Sequence, residues 1–288
     1  MTPATVSELV PAWVSPTQDG FAATCRALAR TTTDQLAINA PGAIQIGVDD
    51  VQAAVGQSLV TQMDIGAAPR HVRSHGDVPG LASLGDHIGQ LAADRKPLCG
   101  FIAESCPSVG GQLLFPEGYL AAVYAQVRAA GGVCIADEVQ TAYGRLGDQF
   151  YGIEQQRVVP DIVVFGKPIG NGYPLGAVVT TAEIAASFNN GMEFFSTFGG
   201  STVSCAVGLT VLEIVNREGL QAHARKVGAH LLSRLRFLAS RHELIGDVRG
   251  SGLFLGVELV ADRATLVPAA SEAAEVINRM RKAGVLIG

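Results

Sequence analysis

Charge is scarce in this sequence. Only 16% of the 288 residues are Asp, Glu, Lys or Arg, against 48% hydrophobic. That balance excludes a disordered chain, which needs low hydrophobicity and high charge. Aromatic residues make up 6%, with a single tryptophan. The 34 glycines and 13 prolines follow no period, which excludes collagen, and no heptad repeat marks a coiled coil. No uncharged apolar run approaches the roughly 18 residues of a membrane-spanning helix, so no membrane association is expected. The first thirty residues hold no basic stretch ahead of an apolar core, so no secretory leader is expected. A net charge of −5 argues against nucleic acid as a partner. The five cysteines (Cys25, Cys99, Cys106, Cys134, Cys205) are odd in number and never spaced C-x-x-C. This argues against a disulfide framework or a thiolate zinc site, and for a reducing, cytoplasmic compartment. The six histidines show no ligand spacing, and no metal site is expected.

The pattern of elements predicts an α/β protein. A length of 288 residues suits about two domains. Residues 1–62 have no sustained periodicity and stay unassigned. Apolar runs at 98–103, 133–136 and 162–165 read as buried strands, and 117–130 reads as a helix stopped by Gly131-Gly132. The run 175–179 begins only eight residues after Lys167, too soon for a parallel crossover. It is therefore expected to lie antiparallel, as an edge on a mostly parallel sheet. Thr180 and Glu183 have capping-box spacing for the next helix. Long helices are expected over 204–218 and 220–242, then a strand over 253–260, a helix over 271–283 and the start of a strand at 285–287. The change of pattern near residue 243 divides the chain into a large domain over 63–242 and a smaller one over 243–288.

Ligands of open α/β sheets bind outside the carboxyl ends of the strands. Three expected strands end in an ionisable residue: Glu104, Asp137 and Lys167. The lysine stands out, since the chain has four lysines and only this one follows an apolar strand. Gly, Pro and Asn crowd it in GKPIGNGYPLG, as close backbone approach to a ligand would require. A partly desolvated amine becomes a nucleophile for carbonyl groups and forms a Schiff base. A carboxylate facing the same site can keep a pyridine nitrogen protonated, and together they describe a pyridoxal phosphate site. Nucleotide and hydrolase motifs are lacking: Pro168 follows Lys167 where a P-loop needs Ser or Thr, the glycines of 170–176 miss G-x-G-x-x-G, and neither H-E-x-x-H nor G-x-S-x-G occurs. Taken alone, Asp137 also suits a loop or capping carboxylate. Arg145 and Arg249 read as structural ion-pair residues, and Cys134 and Cys205 as core.

GGVCIADEVQTAYGRLG (131–147), PDIVVFGKPIGNGYPLGAVVTT (160–181), FFSTFGGSTVSCAVGL (194–209) and LIGDVRGSGLFLGVEL (244–259) closely resemble the class III aminotransferases, enzymes of the fold-type I pyridoxal phosphate architecture. The resemblance runs from about residue 98 to 288, and weakly from about 64. It implies a large domain with a mostly parallel sheet and one antiparallel edge strand, followed by part of an α+β small domain. It also implies that Lys167 carries pyridoxal 5'-phosphate and shuttles a proton, that Asp137 pairs with the ring nitrogen, that Val139 packs on the ring, and that Gln140 reaches its 3-hydroxyl. Glu104 matches a carboxylate near that oxygen. Thr197 matches a residue that reaches the phosphate of a neighbouring subunit, so a homodimer with a shared active site is implied.

Within the family, FIAESCPSVGGQL and GKPIGNGYP resemble the ethanolamine-phosphate phospho-lyase and alanine–glyoxylate aminotransferase branch. Val109 stands where ω-amino-acid enzymes carry a switching glutamate. Three departures accompany the likeness. No Ser/Gly-rich phosphate-binding turn is found in 1–97, and the family's substrate-carboxylate arginine has no counterpart up to Gly288, as in a member truncated at both ends. Ser201-Thr202 stand for Asn-Pro, and Ala142 for Gly. The resemblance implies a transaminase using a small amine or amino acid and a keto acid. The alternatives are a phospho-lyase acting on an amino-alcohol phosphate such as phosphoethanolamine, and a non-catalytic dimerisation partner.

Overall fold

A computed structural model describes residues 81–96, 98–188, 191 and 196–288. The core is a four-stranded sheet in the order β1 (Gly100–Glu104), β2 (Val133–Asp137), β3 (Ile162–Phe165) and β4 (Ala177–Thr180). The first three strands are parallel, and β4 runs antiparallel to β3. This is the sheet expected from the short connection after Lys167, with β4 at the edge among the described residues. Helix α1 (Leu81–Ala93) precedes β1, and α2 (Tyr119–Ala129) crosses from β1 to β2. Leu120, Val123, Tyr124 and Val127 of α2 are buried at helical spacing and pack with Phe101, Cys134 and Ala136 of the strands. Gly118 opens α2 with φ 80°, a backbone region glycine occupies without strain. Cys134 and Cys205 are core, as expected.

Asp161 fastens the sheet at the amino end of β3. Its carboxylate accepts from the Cys134 N–H at 2.7 Å and pairs with the Arg128 guanidinium of α2 at 2.8 Å. Three helices follow β4: α3 (Ala182–Phe188), α4 (Thr202–Arg217) and α5 (Leu220–Ala239). The cap of α3 corrects the sequence reading. Thr181, not Thr180, accepts from the Ile184 N–H, because the Thr180 hydroxyl is already donated to the Asp161 carbonyl at 2.9 Å. Helix α5 also stops three residues short of expectation, at Ala239.

A second, antiparallel sheet is built from β5 (Ile245–Ser251), β6 (Phe254–Asp262) and the two-residue β7 (Val267–Pro268), with α6 (Ala270–Lys282) against β6. Strand β5 was not expected from the sequence. The strand start expected at 285–287 is not formed. The Val285 N–H donates instead to the Met280 carbonyl at 2.9 Å and closes the end of α6.

Arg249 links this hairpin to the first sheet. Its guanidinium pairs with Asp247 and Glu258, each at 2.8 Å, and donates to the Gly111 carbonyl at 2.9 Å. This agrees with its reading as an ion-pair residue, whereas Arg145 is exposed and has no acidic partner among the described residues. Arg249→Leu would leave two part-buried carboxylates unpaired and is expected to cost about 2 kcal/mol, measured by urea unfolding.

Main chain makes close approaches at the seam between the hairpin and the loop after β2, beside the buried Cys106, Leu146 and Phe254 side chains. The Leu253 N–H donates to the Arg145 carbonyl at 2.9 Å, and the Ser251 hydroxyl to the Leu146 carbonyl at 2.8 Å. A Cβ on Gly228 of α5 would collide with the Gly252 carbonyl oxygen, and one on Gly147 would lie 2.7 Å from the Arg225 Cα. Both neighbours are main chain and cannot swing aside. Gly228→Ala is therefore expected to destabilise by about 3 kcal/mol in thermal or urea unfolding.

Candidate active site

The parallel register sets the site. Glu104 lies beside Asp137, and Asp137 beside Val164, so β1, β2 and β3 end together. Lys167 follows three residues beyond Val164, at the start of a 3-10 turn (Lys167–Ile169). Its Nζ is exposed and donates to the Gln140 amide oxygen at 2.8 Å. Asp137 Oδ1 accepts from the Val139 N–H at 2.9 Å, leaving Oδ2 without a hydrogen bond among the described residues. Burial raises the Asp137 carboxyl above its ordinary value. The Val139 hydrogen bond lowers it, the nearby Glu104 charge raises it and the Lys167 charge lowers it. The Val139 side chain packs against the backbone just before the lysine, since a Cβ on Gly166 would lie 3.0 Å from Val139 Cγ1. Glu104 Oε2 accepts from the Ser108 hydroxyl at 2.6 Å and the Ser108 N–H at 3.0 Å, which fixes it beside Asp137.

Five of the six residues singled out from the sequence thus gather at one sheet end: Glu104, Asp137, Val139, Gln140 and Lys167. Thr197 is not tied to them by a hydrogen bond among the described residues. It is exposed on the 196–200 turn. The expectation that a phosphate-binding turn is lacking concerns residues 1–97, of which all but 81–96 lie outside the described residues.

The sequence reading missed Glu138. It is 0% exposed and accepts from the Thr141 hydroxyl at 2.9 Å, the Gly152 N–H at 2.9 Å and the Ile153 N–H at 2.6 Å. The buried Ser105 hydroxyl falls outside hydrogen-bonding geometry, yet it lies close enough to favour the Glu138 charge. Burial dominates and raises the Glu138 carboxyl, with these donors opposing it. In the sequence this residue is merely the second of two acids after a strand.

The donor set suits a pyridoxal ring. Asp137 Oδ2 can accept from a protonated ring nitrogen, whose positive charge offsets the burial that otherwise disfavours the carboxylate. The Gln140 amide N–H groups are available to a phenolic oxygen, and the Lys167 amine is accessible to an aldehyde.

Residues 55–288 match the family model for class-III aminotransferases, and the chain belongs to that family. It is 52% identical over 191 residues to an alanine–glyoxylate aminotransferase 2-like protein of Drosophila melanogaster, covering 66% of this chain and 39% of that one. Among solved structures it resembles an Arthrobacter phospholyase in complex with phosphoethanolamine, with a TM-score of 0.69, 41% identity, and coverage of 72% of this chain and 49% of that one. An amine transaminase from an uncultivated Pseudomonas species, in its PLP-bound (internal aldimine) form, matches with a TM-score of 0.66, 35% identity, and coverage of 72% and 48%. The chain spans about two-fifths of the length of the curated relatives it matches. The family is pyridoxal phosphate-dependent. No described helix is long and apolar enough to cross a membrane.

Proposed function

We propose that the chain carries the pyridoxal phosphate site of a transaminase that takes a small amine or amino acid and a keto acid. The observation that carries this reading is the Lys167 amine held 2.8 Å from the Gln140 amide, with Asp137 on the adjoining strand end. When bound, the cofactor supplies an electron sink for the carbon next to the amine. Lys167 holds it covalently through Nζ and moves the proton of that carbon. Asp137 keeps the ring nitrogen protonated, Val139 packs on the ring face, and Gln140, with Glu104 behind it, orients the phenolic oxygen. Thr197, exposed and not hydrogen-bonded to these five, is read as serving the phosphate of a second copy, in a homodimer with shared sites. The second sheet, beginning at Ile245, supports reading 243–288 as part of a smaller domain beside the 63–242 domain. Cys99, Cys106, Cys134 and Cys205 form no disulfide among the described residues, and the chain is read as working in a reducing, cytoplasmic compartment.

A second reading, phosphate elimination from an amino-alcohol phosphate, is favoured by the likeness to the phosphoethanolamine-bound Arthrobacter phospholyase. Borohydride reduction after incubation with pyridoxal phosphate is expected to fix the label on Lys167. Label scattered over Lys96, Lys226 and Lys282 would refute the site. Inorganic phosphate released from phosphoethanolamine without a keto acid would select the lyase, and keto-acid-dependent amine consumption the transaminase.

A further inference from the structure

We propose that Glu138 is a positioning residue for this site: its buried carboxylate clamps the 138–141 span and thereby sets where Gln140 holds the Lys167 amine. The inference rests on the proposed role of Lys167.

The geometry runs from the carboxylate outward. Glu138 Oε2 accepts from the Thr141 hydroxyl and the Gly152 N–H, both at 2.9 Å, and Oε1 accepts from the Ile153 N–H at 2.6 Å. The Glu138 N–H donates to the Val164 carbonyl at 2.9 Å, extending the β2–β3 ladder one residue past β2. One end of the span is thus fixed to β3 and the other to the carboxylate, while the carboxylate itself is anchored on the 152–153 backbone. Val139 and Gln140 lie inside this closed span. Their hydrogen bonds reach the site, the Val139 N–H on Asp137 and the Gln140 amide oxygen on Lys167. The anchor has no slack. A Cβ on Gly152 would lie 2.5 Å from the Thr141 hydroxyl and 3.1 Å from the Ser105 Cβ, so the 152 backbone sits directly against the clamp. A residue serving only to fill the core would be apolar, because a fully buried carboxylate is costly unless its charge is used to hold donors.

The test uses the full chain and a readout independent of turnover. Trace acylation with an amine-reactive ester, resolved by peptide mass spectrometry, gives the reactivity of Lys167 relative to the exposed Lys226. In Glu138→Gln the side-chain amide turns an NH₂ toward donors, and one end of the clamp opens. The Lys167 to Lys226 ratio is expected to change by about three- to tenfold, the range of one net hydrogen bond. Gln140→Ala is expected to give a change of the same sign and size, and the double variant no further change, because Glu138 acts through Gln140. Thr141→Val, which opens the clamp from its other end with little change of volume, is expected to shift the ratio less and in the same direction. An unchanged ratio in folded Glu138→Gln, full additivity with Gln140→Ala, or loss of fold in both the Glu138 and Thr141 variants would overturn the proposal. Failure of the wild-type chain to take pyridoxal phosphate on Lys167 would overturn the proposed function instead, while the acylation ratios would still decide the role of Glu138.

Discussion

Lys167→Arg is expected to abolish amine turnover, by at least about a thousandfold, as completely as Lys167→Ala. The comparison separates two roles that a lysine can play. If Lys167 served as a positive charge near Asp137 and Glu104, arginine would preserve it. A guanidinium is not deprotonated in proteins and cannot condense with an aldehyde, so a covalent role fails equally in both variants. The side chain is exposed and its hydrogen bond is to Gln140, so both variants should keep the wild-type unfolding free energy within about 0.5 kcal/mol. Three measurements suffice: the visible spectrum after addition of pyridoxal phosphate, the site of borohydride labelling, and the steady-state rate. Retained turnover in the arginine variant would refute covalent attachment at this position.

Asp137→Asn is expected to act in opposite directions on catalysis and stability. Turnover should fall by about a hundred- to a thousandfold, the scale of losing one preorganised electrostatic partner. In the cofactor-free chain the same substitution should raise the unfolding midpoint. Burial raises the Asp137 carboxyl above its ordinary value of 3.8, so the folded state holds that proton more tightly than the unfolded chain does. The stability contributed by this group is complete below pH 3.8 and is lost as pH rises through the raised folded value. At neutral pH the ionised carboxyl therefore weighs against folding, and the neutral amide, which can still accept from the Val139 N–H, relieves this. The gain should vanish toward pH 3.8. Saturating pyridoxal phosphate should reverse the order, because a ligand stabilises in proportion to its affinity for the folded state. Lower stability of the cofactor-free variant at neutral pH would refute the account.

The strands that end at the site were legible because their sequences need no distant context. The apolar runs ending at Asp137 and Phe165 are bounded by turn residues, and the eight residues after Lys167 leave no room for a parallel crossover to β4. The missed features depend on partners far along the chain. Strand β5 carries Gly246, Asp247, Arg249 and Gly250, which break any alternation, and it is held by the ion pairs of Arg249 and its register with β6. Glu138 reads as a solvated acid until the Gly152 and Ile153 N–H groups, fourteen and fifteen residues on, arrive to bury it. Ser108 had no signal either, since its tie to Glu104 depends on how the loop after β1 turns back.

The glycine seam also bears on the order of folding. The Ser251–Leu146 hydrogen bond joins residues 105 positions apart, with α4 and α5 between them. Local helices and the β5–β6 hairpin can form before that distance is closed, but the seam cannot. Loop closure over such a span is slow rather than prohibitive, since each doubling of loop length adds only about 0.6 kcal/mol. The seam is thus assembled late, after the elements on either side of it. Refolding should show the seam amides, Leu253 above all, acquiring protection in a slow phase that follows the helices and the β5–β6 hairpin.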